Sequence, residues 1–237
     1  MAIIGRIVVF VVGFVLVAGC GGGVSPKVDK TTSPPAPKSY STKQVQDALP
    51  GVEEIPGAKT LSYRCPGEKG ACSESEGDET FSLLVKLAPP GSGVQAERAA
   101  KNEVFGDIAY VAGTLHASST SAMTALAQIR KTLAKYDGDY EFKAESTGGK
   151  SYAPGEKGVG SLGDVTVDGW SGFQLARAGV TTSPSNDSEK RQEADLSVVR
   201  GVVELTVHVG LASDGRSLGD AKKLARRLAE DYLARLG

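Results

Sequence analysis

The side chains best placed for chemistry in this sequence are three cysteines, two histidines and one close aromatic pair. Cys20 follows Val17-Ala18-Gly19 at the end of an apolar run, Ile7 to Val17, that a single positive charge at Arg6 precedes. A basic start, a short apolar segment and small residues before a cut are the parts of an export signal. A membrane-crossing helix needs ~20 apolar residues, and glycines end this run sooner. Cys65 and Cys72, with six residues between them, are an even pair in an exported chain and read as one disulfide. The loop is small, so the entropic gain is modest, ~2–3 kcal/mol. A metal at this pair would need further ligands, and the nearest histidine is the distant His116.

Several motifs match by letter and fail by context. Gly158-x-Gly160-x-x-Gly163 spells a dinucleotide fingerprint, which needs a strand before it and a helix after it. Here a Gly-rich stretch, 147–163, reads as loop, and alternating Val165-Thr166-Val167 follows as the start of a strand. Gly149-Lys150-Ser151 ends like a phosphate loop, but Ala144 stands where its first glycine belongs. The run from Asp137 to Glu141 alternates oxygen ligands as a calcium loop does, yet Phe142 and Gly148 occupy the positions of its glycine and closing glutamate. A Ser-His-Asp triad could be drawn through His116 or His208, but no Gly-x-Ser-x-Gly elbow presents a serine. The reading is a non-enzymatic chain without cofactor, metal site or catalytic residues. Trp170 and Phe173 remain as an aromatic pair, either packed in the core or forming a ligand platform. They fall on opposite sides of a strand unless Gly172 marks a bulge.

The elements that must position these residues follow from periodicity. Residues 1–19 are the signal, 20–40 a Gly- and Pro-rich tether, and 41–237 the domain. A tether of this length reaches ~25 Å when flexible. The domain's roughly 195 residues suit one core and are short for two. The sequence has 27 basic and 28 acidic side chains, which gives no electrostatic case for nucleic acid.

Ser41-x-x-Gln44 is a capping box for a short helix with Val45, Ala48 and Leu49 on its apolar face. Lys59 to Arg64, Phe81 to Leu87, Ile108 to His116 and Tyr140 to Glu145 read as strands. Val94 to Glu103 reads as a surface helix. Ala122, Leu126, Ile129, Leu133 and Tyr136 line one face of a helix from Ser119 to Tyr136. Asp168-Gly169 suits a tight turn, while 180–192 reads as an exposed polar loop. With Arg200-Gly201 as a turn, Val198 faces Val203, Leu196 faces Leu205 and Ala194 faces Val207, all on one side. That register sets His208 opposite Glu193 as a cross-strand charge pair. Ser217-x-x-Asp220 caps a last helix with Leu218, Ala221, Leu224, Leu228, Tyr232 and Leu236 as its stripe. The class expected is α+β: a single domain with an antiparallel sheet covered by helices.

Val17-Ala18-Gly19-Cys20 resembles the lipobox of bacterial lipoproteins. That resemblance implies a Cys20 carrying a diacylglyceryl group, with palmitate-like acyl chains holding the chain at the membrane. The mature region resembles actinobacterial lipoproteins related to the extracellular sensor domain of membrane serine/threonine kinases. The residues that carry it are Leu49-Pro50-Gly51, Leu162-Gly163-Asp164, Val198-Val199-Arg200-Gly201-Val202-Val203 and Leu233-Ala234-Arg235-Leu236, with the tether and the mid-chain helix. The resemblance implies a sheet-and-helix domain with a ligand-binding cleft, and it supplies no catalytic residues. The expectation is a lipid-anchored, sensor-like binding domain on the outer face of the cell membrane, holding a small envelope molecule. A module docking on an envelope or signalling protein is the second expectation, and an envelope hydrolase a distant third.

Overall fold

The computed structural model describes residues 39–65, 74–75, 78–88, 107–146, 152–182, 188–212 and 215–237, all within one compact unit, Pro37–Gly237. The signal, Cys20, nearly all of the tether, Cys72, the helix expected over Val94 to Glu103 and Gly149-Lys150-Ser151 lie outside the described residues. Among the described residues no helix is long and apolar enough to cross a membrane.

The sheet grows outward from a central hairpin, β10 (Ser188–Arg200) and β11 (Val203–Ala212). β4 (Ile108–Leu115), β3 (Asp78–Leu87) and β1 (Ala58–Cys65) extend it beyond β11. β9 (Trp170–Thr182), β8 (Gly155–Val167) and β5 (Gly138–Phe142) extend it beyond β10. Every pairing is antiparallel. Short β2 (Glu74–Ser75) pairs with β3, and β6 (Glu145–Ser146) pairs with β7 (Tyr152–Ala153) as a separate ribbon. The α+β class expected from the pattern is the one observed.

The central turn sits one residue later than the sequence pattern placed it. Arg200 pairs with Val203, so Gly201 and Val202 form the turn, with Gly201 at φ 62°. A type II′ turn needs glycine at that first central position. Moving the turn by one residue shifts each pairing by two, and a strand repeats every two residues. Ala194, Leu196, Val198, Val203, Leu205 and Val207 therefore still share one face, each 0% exposed.

That face is closed by α3 (Leu218–Leu236), which packs Ala221, Ala225, Leu228, Ala229, Tyr232 and Leu236 onto it. The expected Ser217–Asp220 capping box starts the helix. α1 (Thr42–Asp47), begun by the Ser41–Gln44 box, fills the gap beside it. Tyr232 Oη donates to the Val45 carbonyl at 3.0 Å and joins the two helices over β4. Gly113 on β4 makes that joint possible, because a Cβ there would collide with the Tyr232 hydroxyl.

The opposite face carries α2 (Ser119–Leu133), capped by Ser118 and continued by a 3-10 turn, Ala134–Tyr136. It buries only Ala122 and Leu126 fully, against Phe173 and Val199, with Ile129, Leu133 and Leu162 partly covered.

Two stretches differ from their sequence reading. Residues 155–163 are strand, not loop, and β8 runs unbroken to Val167. Its glycines mark where other chain crosses closely: a Cβ on Gly160 would strike the Tyr136 carbonyl at the end of α2. Within 180–192, β9 continues to Thr182 and β10 begins at Ser188. The polarity there belongs to a strand face lined with charged partners.

Candidate functional site

α2 packs on its face of the sheet, and beside it lies a cleft of about 750 Å³. The floor is Phe173, Leu126 and Val199; the end of the β8–β9 hairpin supplies Asp164, Thr166 and Ser171; Met123 and Arg130 stand on the helix side. Besides Leu126, the α2 residues that line it, Ser119, Met123, Ala127 and Arg130, step by four, four and three and so share one flank. Phe173 is 1% exposed while Met123 on the lip is 56% exposed, so the cleft grades from dry floor to open mouth. The hairpin wall is held by the tight turn at Asp168 and Gly169, with φ 48° and 78°.

Two charges stand at the mouth. Arg130 Nη1 pairs with Asp164 Oδ1 across it, tying α2 to β8. The guanidinium carbon also lies 5.9 Å from the Phe173 ring centroid, within cation–π range.

The sequence-selected aromatic pair separates. β9 pairs with β8 and β10 in unbroken register through Gly172, so no bulge realigns the strand. Trp170 points to the α3 face, in the main core beside Tyr40 at 6.2 Å between ring centroids. Phe173 points to the α2 face and lines the cleft. Strand alternation alone sets them apart, so they do not form a joint platform; Trp170 is a core residue. The sequence reading missed Arg130 and Asp164. A second stripe on α2, Met123-Ala127-Arg130 beside Ala122-Leu126-Ile129, is the signal that marks Arg130; Asp164, on β8, carries no such signal.

Cys65 is the last residue of β1, and its expected partner Cys72 is outside the described residues. Asp137, first residue of the candidate calcium run, accepts from the backbone N–H of Leu162 at 2.9 Å in the turn after α2. Among the described residues no group of three or more His, Cys, Asp or Glu is placed to hold a metal.

Both histidines sit on the α2 side of the sheet and both are held by carboxylates. His116 Nδ1 is 3.1 Å from Asp78 Oδ2, and its Nε2 is 3.1 Å from Glu204 Oε2. Carboxylates therefore flank the ring on both sides, and no serine or cysteine is paired with it among the described residues. Burial raises the Glu204 pKa above its usual value, against the lowering effect of the His116 contact. Thr206 donates to Glu204 at 3.2 Å and meets Ser197 at 3.1 Å, which completes a polar row across the sheet.

His208 pairs with Asp195, not Glu193, because the turn lies one residue on; Nδ1 to Oδ1 is 2.7 Å. A cross-strand charge pair was the expected role. Burial alone would lower the His208 pKa, but the hydrogen bond and charge of Asp195 outweigh it and raise it. Beyond it, Arg177 binds Glu193 at 2.6 Å and Glu156 at 3.4 Å under the Tyr136 ring, 4.0 Å away. Arg191 meets Glu193 at 3.0 Å and Glu189 at 3.3 Å. These ion pairs link β8, β9, β10 and β11 across the sheet, and the cleft beside α2 is the place with room for a ligand.

No protein-family profile matches the chain, and no curated protein matches it. Among solved structures it is similar to the extracellular domain of PknH from Mycobacterium tuberculosis, at 9% identity and a TM-score of 0.43. The likeness covers 84% of this chain and 98% of that one.

Proposed function

We propose that the chain is a lipid-anchored, extracytoplasmic, sensor-like domain that holds a small apolar molecule in the cleft beside α2 and catalyses no reaction. The cleft carries this reading. Its volume falls in the ordinary range for ligand pockets, and its mostly apolar lining with a few polar groups at the mouth is the usual pattern. Anchoring rests on Val17-Ala18-Gly19-Cys20 and the tether behind it. The docking-module alternative gains little from the surface. Among the described residues the large exposed apolar side chains are Met123, already at the cleft, and Val159 on β8.

Native mass spectrometry of the full chain, after incubation with a detergent extract of envelope, tests the reading. The expected result is a discrete added mass of a few hundred daltons that disappears in Ala127→Trp, which fills the cleft from an exposed position on α2. An adduct equally abundant in Ala127→Trp would place the ligand elsewhere, and a co-purifying polypeptide with no small adduct would move the reading to a docking module. Anchoring is tested separately: Cys20→Ser is expected to move the chain from the detergent phase to the aqueous phase in a partition experiment.

A further inference from the structure

We infer that the occupant of the cleft is an anionic amphiphile, with its apolar body on the Phe173–Leu126–Val199 floor and its acidic head on Arg130. This rests on the cleft being the ligand site and adds the ligand's chemical class.

The two charges at the mouth are not equivalent. The Asp164 side chain is 79% exposed and turned to water, whereas Arg130 is 44% exposed and its guanidinium stands over the Phe173 ring. The positive charge therefore faces the floor, and the negative one faces solvent. An exposed ion pair of this kind is weak because water screens it, so exchanging Asp164 for a ligand's acid group costs little. A guanidinium is also the side chain whose planar fork fits carboxylate and phosphate while its face stacks on an aromatic ring.

The rest of the lining adds no second carboxylate to repel an acid head. Its other polar side chains are the hydroxyls of Ser119, Thr166 and Ser171, all able to donate. Ser119 opens α2, whose first turn carries no acidic residue, so the positive end of the helix is not neutralised there. A cationic head would have to draw Asp164 in from water while Arg130 repelled it. Carboxylate and phosphate heads share the chemistry Arg130 recognises, so a fatty acid and a lipid phosphate both fit.

Calorimetric titration of the full chain with dodecanoate, dodecyl phosphate and dodecyltrimethylammonium, each below its micelle concentration, tests this. The two anions are expected to bind roughly tenfold more tightly than the cation, as one charge-assisted contact gives. Arg130→Gln is expected to erase that preference while keeping the tail's affinity. Whichever anion leads separates a carboxylate source from a phosphate source. Equal binding of all three heads would overturn the anionic class and leave the cleft reading standing. Absence of any binding, or binding unchanged in Ala127→Trp, would overturn the cleft reading itself.

Discussion

The two faces of the sheet are built from the same strands and do opposite things. On the α3 side, β11 presents Val203, Leu205, Val207, Val209 and Leu211, none more than 2% exposed. On the α2 side the same strand presents Glu204, Thr206 and His208, each tied to a neighbour. The first face is closed by apolar area, which is non-directional and tolerates no gap. The second is closed by polar groups that need partners at fixed distances. Such a face can be complete without being tightly covered, so α2 can lift from it along one flank. The cleft lies there, where the polar row ends at Ser197 and the apolar floor of Phe173 begins.

The largest expected effect tests that contrast directly. Leu205→Ala opens a cavity in the closed face and should cost about 3–5 kcal/mol. Leu126→Ala removes the same atoms beside an existing cleft and should cost about 2 kcal/mol, because solvent already reaches its edge. Urea denaturation of both variants measures the gap. Equal losses would mean that α2 seats as tightly as α3 and that the cleft closes in solution.

Sequence pattern reached the closed face almost completely. Period two in β10 and β11 and the stripe on α3 named its core, and the one-residue error in the turn changed pairings without changing faces. It reached the α2 face poorly, for a physical reason. β8 and the start of β10 look like loop because glycine and charge are enriched there. Glycine at 160 admits the Tyr136 carbonyl, and Arg191 and Glu193 bind one another on a strand. The cleft is harder still, since Arg130 and Asp164 meet only through α2 crossing the hairpin end. Phe173 was visible as an aromatic; that it faces away from Trp170 required knowing that Gly172 makes no bulge.

The polar face should also carry the molecule's pH response. His208→Ala removes a charge-assisted hydrogen bond and should cost about 2 kcal/mol. The folded pKa of His208 is raised, so its contribution is fully present below its unfolded value of 6.5 and is lost as pH rises through the folded value. Glu204 is raised too, so its contribution is present below 4.5 and is lost on the way up in the same sense. Stability should therefore fall as pH rises from below 6.5 through the raised folded value of His208, and His208→Ala should flatten that fall. A Leu205→Ala variant should keep the wild-type slope, since it leaves His208, Asp195 and Glu204 on the opposite face untouched. An unchanged slope in His208→Ala would assign the response to other groups.

Tyr232→Phe probes a buried polar contact inside the closed face. It strands the buried Val45 carbonyl and should cost about 1–2 kcal/mol in a thermal or urea melt. Loss below that range would show that apolar packing, not this hydrogen bond, seats α1 on α3, which would make the closed face still more uniform than its opposite.

The smallest stability effect should come from Asp164→Asn at the cleft mouth, and it separates the faces most sharply in function. The side chain is exposed and its ion pair weak, so stability should change by less than about 0.5 kcal/mol. The same change removes the carboxylate that competes for Arg130, so dodecanoate should bind a few-fold more tightly while dodecyltrimethylammonium weakens. Calorimetry alongside a urea melt reads both quantities on one protein. Weaker dodecanoate binding would mean that Asp164 positions Arg130 over the Phe173 ring instead of competing for it. In either case a residue that contributes almost nothing to the fold would set what the cleft accepts, as expected if the closed face carries stability and the open face carries recognition.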